Sequence, residues 1–188
     1  NNYEINVKKI FIFKNILEII KKLDLICLGR LAVDLYGEQI GSRLEDMNSF
    51  AKYLGGSSAN VAYGTARQGL KSSMLARVGN EHMGRFLKEE LLRAGVDTSN
   101  IITDKERLTA LVILGIKNQE TFPLIFYRDN CADMALTKED IKEEYIASSK
   151  ALAITGTHLS HQNTREAVLT ALSMAKNHSL KRILDIDY

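Results

Sequence analysis

One proline, Pro123, no tryptophan and two cysteines stand in a chain of 188 residues. With so little proline there is no Pro-rich linker, and neither an internal repeat nor a low-complexity tract breaks the sequence, which therefore reads as one continuous unit. Cys27 lies in an apolar run and Cys131 in a polar stretch. That sparse pair makes neither a disulfide framework nor metal-ligand spacing, so a reducing, cytoplasmic setting is expected. Charge of one sign is not in excess: 25 Lys and Arg face 23 Asp and Glu, interspersed along the chain. No nucleic-acid partner is indicated. No run approaches the ~20 apolar residues that span a bilayer. The stretch Ile10–Phe13, cut by Lys14, is shorter than a secretory h-region of about 7–15 residues. No membrane association is expected.

Two nucleotide motifs are also missing, Gly-x-Gly-x-x-Gly and Gly-x-x-x-x-Gly-Lys-[Ser/Thr]. A nucleotide site built on either is excluded, which counts against a nicotinamide-dependent oxidoreductase. What is present is the composition of a packed globular protein, 45% hydrophobic and 26% charged, within the size of one core.

Residues 1–22 read as an extension, poorly ordered or, over Ile16–Leu23, an amphipathic helix. From Leu23 onward strand-like and helix-like segments alternate, the pattern of a mainly parallel sheet covered by helices. Leu23–Leu28 is an apolar run closed by Gly29, as expected of a strand buried on both faces. A small-residue helix over Ala59–Gln68, ended by Gly69, and a strand over Ser72–Val78 follow. Met83, Leu87, Leu91 and Ala94 share one face of the next helix. Thr137 and Asp140 resemble a capping box before a short helix reaching about Ala147. Ala151–Thr155 reads as a core strand, and Asn163 or Thr164 as the cap of a long helix to about His178. Arg182–Ile186 reads as a last strand. Leu108–Ile116 and Phe122–Arg128, joined by Lys117–Glu120, suit an antiparallel hairpin that breaks the alternation and forms a flap beside the sheet.

Chemistry concentrates in few places. In Gly55-Gly56-Ser57-Ser58-Ala59-Asn60 two glycines allow close backbone approach to a ligand, while helix amides and Asn60 supply donors and an acceptor, the mixture a polyol needs. The same run also suits a plain strand-to-helix turn. Asp34 lies where the first strand leaves the sheet, at the end where α/β proteins bind ligands. It is either an acceptor for two hydroxyls or a solvated loop carboxylate. Arg128 either offers a planar fork to a substrate carboxylate or pairs with Asp129 or Asp133 on the surface. His158 and His161 have a spacing that can suggest a metal, but no third ligand supports one.

Together these residues resemble the phosphofructokinase-B or ribokinase family of carbohydrate kinases. The likeness runs from Gly55-Gly56-Ser57-Ser58-Ala59-Asn60-Val61-Ala62 through Gly69-Leu70 to Arg77-Val78-Gly79-Asn80 and Gly84. It implies an α/β, ribokinase-like three-layer sandwich with helices on both faces of the sheet, plus a small β lid with strands near 33–42 and 107–130. Within the family, Gly29–Leu35, Tyr127–Asp133, Tyr145–Lys150 and Asp185–Tyr188 are most similar to the branch that phosphorylates 5-dehydro-2-deoxygluconate in myo-inositol breakdown. Fructokinases and 2-keto-3-deoxygluconate kinases share parts of these stretches.

The resemblance implies that Asp34, Gly56 and Asn60 hold sugar hydroxyls beside Gly55. Ser57 stands where ribokinases have a lysine, which disfavours ribose. It also puts Arg128 near the carboxylate of a sugar acid. The family's second signature, with its catalytic aspartate, does not occur in this sequence. Residues 23–188 are therefore expected to be the sugar-binding part of a kinase truncated on its C-terminal side and inactive alone. ATP and Mg²⁺ would serve the complete enzyme, and a homodimer through the lid is implied. The remaining alternative is a sugar-binding module without catalysis.

Overall fold

The computed structural model describes residues 21–186, so residues 1–20 of the expected extension lie outside it. Strands β1 (Leu23–Leu28), β4 (Ser72–Gly79), β5 (Ile101–Asp104), β8 (Ser149–Thr155) and β9 (Lys181–Asp185) form a sheet in the order β5-β4-β1-β8-β9. Every pairing within it is parallel. β1 is the middle strand, and Ile26, Cys27 and Leu28 are fully buried. Alternation decides which layer each residue joins. Leu25 and Cys27 pack with Ala59 and Ala62 of α1 (Ser57–Arg67) and Leu87 and Leu91 of α2 (His82–Arg93). Ile26 and Leu28 face the other way, onto Ile146 of α3 (Glu143–Ala147) and Ala167, Val168 and Ala171 of α4 (Gln162–Asn177). Helices thus cover both faces, giving three layers. The small residues of α1 and α4 let those helices lie close to the sheet.

A second sheet has the order β3-β2-β6-β7, from β2 (Ala32–Gly37), β3 (Phe50–Gly55), β6 (Leu111–Leu114) and β7 (Leu124–Tyr127). β2 runs parallel to β6 and antiparallel to β3, and β6 pairs antiparallel with β7 from Leu111↔Tyr127 to Leu114↔Leu124. The hairpin read from the sequence is therefore present, with shorter strands.

Asp34 sits inside strand β2, within the stretch near 33–42 expected to be a lid strand, because Val33 and Leu35 turn to the core and carry the chain straight into a second sheet; the alternative of a loop carboxylate falls. Two local expectations need correction. Thr137 and Asp140 do form a reciprocal cap, with the Thr137 backbone N–H donating to Asp140 Oδ2 at 2.9 Å, but it closes only a 3₁₀ turn, and α3 starts later at Glu143. Helix α4 begins at Gln162 with His161 as its cap, one turn after a 3₁₀ segment at Gly156–Leu159. Arg165 donates both to the His161 carbonyl through its backbone and to the Leu159 carbonyl through Nε, which starts the helix before Asn163 or Thr164 could cap it.

Candidate sugar-binding cleft

The paired glycines sit at the junction of the two sheets, and each is required for a different reason. A Cβ on Gly55 would lie 2.1 Å from Asp34 Oδ1, so the first glycine makes room for the carboxylate. Gly56 has φ 96°, and a Cβ there would come within 2.4 Å of the Arg30 carbonyl oxygen in the β1–β2 connection. This backbone is open to glycine and strained for other residues. We expect Gly56→Ala to lower stability by about 3 kcal/mol or more. Gly69→Ala, at φ 93° with open space around it, should cost only about 1 kcal/mol. Thermal unfolding of the two variants separates clash from strain, and equal losses would refute the close approach.

A hydroxyl chain anchors the start of α1. Ser58 Oγ donates to the Leu28 carbonyl at 3.0 Å and lies 2.9 Å from Thr155 Oγ1, tying the helix to the ends of β1 and β8. Asn60 follows on the first turn, exposed, with its backbone N–H donating to the Gly56 carbonyl.

Asp34 and Asn60 come together on one cleft of about 630 Å³, with Tyr36, Tyr53, Ile40 and Ile116 among its walls. Asp34 faces Tyr53 across the β2–β3 ladder, and Tyr36 lies two residues on, on the same face. The two tyrosine rings meet edge to face at 5.4 Å, giving the cleft an aromatic wall. Burial raises the Asp34 pKa above its ordinary value, the nearby charge of Arg30 opposes the shift, and no hydrogen bond from a described residue contributes. The carboxylate therefore keeps its lone pairs for hydroxyl donors.

The pfkB family carbohydrate kinase model matches residues 22–187. The chain belongs to the pfkB carbohydrate kinase family. It is 43% identical over 169 residues to a 5-dehydro-2-deoxygluconokinase of Geobacillus thermodenitrificans, covering 89% of this chain and 50% of the relative. The 5-dehydro-2-deoxygluconokinase of Bacillus subtilis is 36% identical over 169 residues, covering 89% of this chain and 52% of the relative. A sugar kinase from Pyrococcus horikoshii, solved in complex with ATP, superimposes with a TM-score of 0.81 at 30% identity, over 87% of this chain and 53% of that one. The chain spans about half the length of the curated relatives it matches.

In this pfkB chain Ser57, Arg128, His158 and His161 are not part of the cleft lining. Ser57 Oγ is buried with no hydrogen-bond partner among the described residues. Arg128 is absent from the cleft lining, and its Nε donates to Asp133 Oδ2 at 2.7 Å. Asp133 is buried, so the pair lies in the interior, unlike the surface pairing considered from the sequence. His158 is also fully buried. Burial, then the charge of Arg128, push its pKa down to about 3, with the Asp133 backbone pulling the other way. Among the described residues neither ring nitrogen finds a partner in good hydrogen-bond geometry.

Arg30, Tyr36 and Tyr53 were not singled out in the sequence reading. Arg30 lies over the Phe126 ring at 5.5 Å and acts on both Asp34 and Asp133, so it links the cleft to the buried pair. The period-two step from Asp34 to Tyr36 was the available signal for the tyrosine wall.

Proposed function

We propose that this chain is the sugar-binding portion of an ATP-dependent kinase. It phosphorylates a primary hydroxyl of a keto-deoxy sugar acid, 5-dehydro-2-deoxygluconate in myo-inositol breakdown. The observation that carries the reading is the convergence of Asp34 and Asn60, from different elements, on one cleft beside the Gly55-Gly56 turn. A carboxylate that accepts from two hydroxyls and an amide that both donates and accepts are the partners a polyol requires. The names of the relatives support the substrate.

Asp34, Gly56 and Asn60 hold the sugar hydroxyls, with Gly55 and Ser57 beside them; Arg128, placed at the acid group by the resemblance, would have to leave Asp133 and enter the cleft to reach it. The second sheet acts as a lid that keeps water from the reacting hydroxyl. When bound, ATP supplies the phosphoryl group and Mg²⁺ neutralises its charge. Among the described residues no three His, Cys, Asp or Glu side chains gather as a metal would need. Mg²⁺ is therefore assigned to none of the described residues. Exposed Leu124, Ile125, Phe126 and Tyr127 of β7 would be covered by a second copy in a homodimer through the lid. Cytoplasmic residence belongs to the same reading, and no described helix is long and apolar enough to cross a membrane.

The test is an assay of ADP release by the full-length protein with 5-dehydro-2-deoxygluconate or fructose. Turnover with preference for the acid is expected. Good fructose activity without turnover of the acid defeats the substrate assignment, and inactivity on both defeats the kinase reading.

A further inference from the structure

The chemistry of the substrate read above leaves it few ways to sit in the cleft. Its chain runs from the carboxylate through a methylene at C2, hydroxyls at C3 and C4 and a ketone at C5 to the primary hydroxyl. Only the C3 and C4 hydroxyls are neighbours, so a carboxylate that accepts from two hydroxyls at once has to take that pair. The formula then fixes what lies on either side: the ketone in one direction and the methylene in the other.

The cleft offers a partner for each. Asn60 stands on the first turn of α1, next to the Gly55-Gly56 turn, with an amide that can donate to a ketone oxygen. Tyr53 lies directly across the β2–β3 ladder from Asp34, and Tyr36 lies two residues along β2, away from the glycine turn. Their rings meet edge to face at 5.4 Å, and Ile40 and Ile116 extend the apolar lining. Burial, then the charge of Asp34 and the neighbouring Tyr53, raise the Tyr36 pKa, so this wall stays uncharged near neutral pH. The next carboxylate on that side, Glu38, is two residues beyond Tyr36 and exposed.

We propose that Tyr36 and Tyr53 determine specificity: their rings pack against the methylene at C2 and select the 2-deoxy acid over the counterpart with a hydroxyl there. This rests on the reading of the cleft as the site for a keto-deoxy sugar acid. A hydroxyl pressed against ring carbons loses water without gaining a partner, a penalty that a methylene does not meet. Discrimination of this kind is limited, because an apolar wall rejects an added hydroxyl by about 100-fold at most.

The full-length enzyme tests this through kcat/KM for 5-dehydro-2-deoxygluconate and for 5-dehydrogluconate, its 2-hydroxy counterpart. Wild type should prefer the deoxy acid by about 10–100-fold. Tyr53→Gln, whose amide can pair with the added hydroxyl, should narrow that preference about tenfold. Tyr36→Gln should narrow it in the same direction and decides if Tyr53→Gln fails to fold. Tyr53→Phe keeps the ring and should keep the preference.

Turnover of neither acid by wild type defeats the reading of the cleft, and this inference with it. Equal use of both acids by wild type overturns the tyrosine wall as a selector while the kinase reading stands. A proportional loss on both acids in the glutamine variants does the same. Loss of the preference in Tyr53→Phe also overturns the proposal, since the phenol hydroxyl and not the ring face would then discriminate.

Discussion

Asp34→Asn in the full-length kinase is expected to lower kcat/KM for the sugar acid by about 10²–10⁴-fold while leaving the melting temperature unchanged or higher. The kinetic loss follows from the two hydroxyl contacts assigned to the carboxylate. Hydrogen bonds to a charged group are worth about 1.5–3 kcal/mol each, and every 1.4 kcal/mol or so is a factor of ten. The stability side follows from the environment. Burial raises the Asp34 pKa and, among the described residues, no donor satisfies the carboxylate. Its ionised form therefore burdens the fold near neutral pH, and the amide relieves that burden. Asn60→Ala should show the same selectivity on a smaller scale, about tenfold in sugar KM with ATP affinity nearly intact. Unchanged sugar kinetics in Asp34→Asn, or an equal loss of ATP affinity in either variant, would remove these residues from the sugar site.

Acid should weaken the fold through His158. The ordinary histidine pKa is 6.5, and burial carries this one to about 3 in the folded chain. As pH falls below 6.5 the unfolded chain takes up the proton and the folded chain does not. Stability contributed by the neutral ring is thus complete above pH 6.5 and is lost on acidification toward pH 3. The slope is about 1.4 kcal/mol per pH unit, with an upper limit of about 5 kcal/mol, comparable to the whole stability of many domains.

Asp133 works in the opposite direction. Burial raises its pKa, with Arg128 opposing, so the folded form takes up that proton first and gains on acidification. Comparing wild type with His158→Asn isolates the histidine. Urea unfolding at pH 7, 6 and 5 should show wild type losing stability steeply and the variant much less. Parallel losses would sink the assignment.

The elements that could be read from the sequence are those whose side-chain pattern is set by local geometry. Leu23–Leu28 is a continuous apolar run because β1 is buried on both faces. Gly55-Gly56 and Gly69 mark the two ends of α1, at positive φ for Gly56 and Gly69. β3 escaped notice because half of it is exposed and only Gly55 is buried, so no strict alternation marks it. β5 has four residues at the edge of its sheet, too few for a period to register.

The cap at Thr137 shows the limit of local signals. The reciprocal contact formed, yet a single 3₁₀ turn satisfied it. Arg128 shows the same limit for charge. Two aspartates stood close by in sequence, and only burial of Asp133 decided which one the guanidinium meets and that the pair lies inside.

By itself the sequence determined the layered α/β architecture, the glycine turn into a small-residue helix and the pairing of the hairpin. These follow from period, residue size and backbone freedom, which act over a few residues. Only the tertiary structure decided that Asp34 shares a cleft with Asn60 and two tyrosines, and that the partly buried Arg30 and Arg128 act on the fully buried Asp133 and His158. Such meetings depend on how two sheets lean together and on desolvation by residues distant in the chain, and neither leaves a local pattern to read.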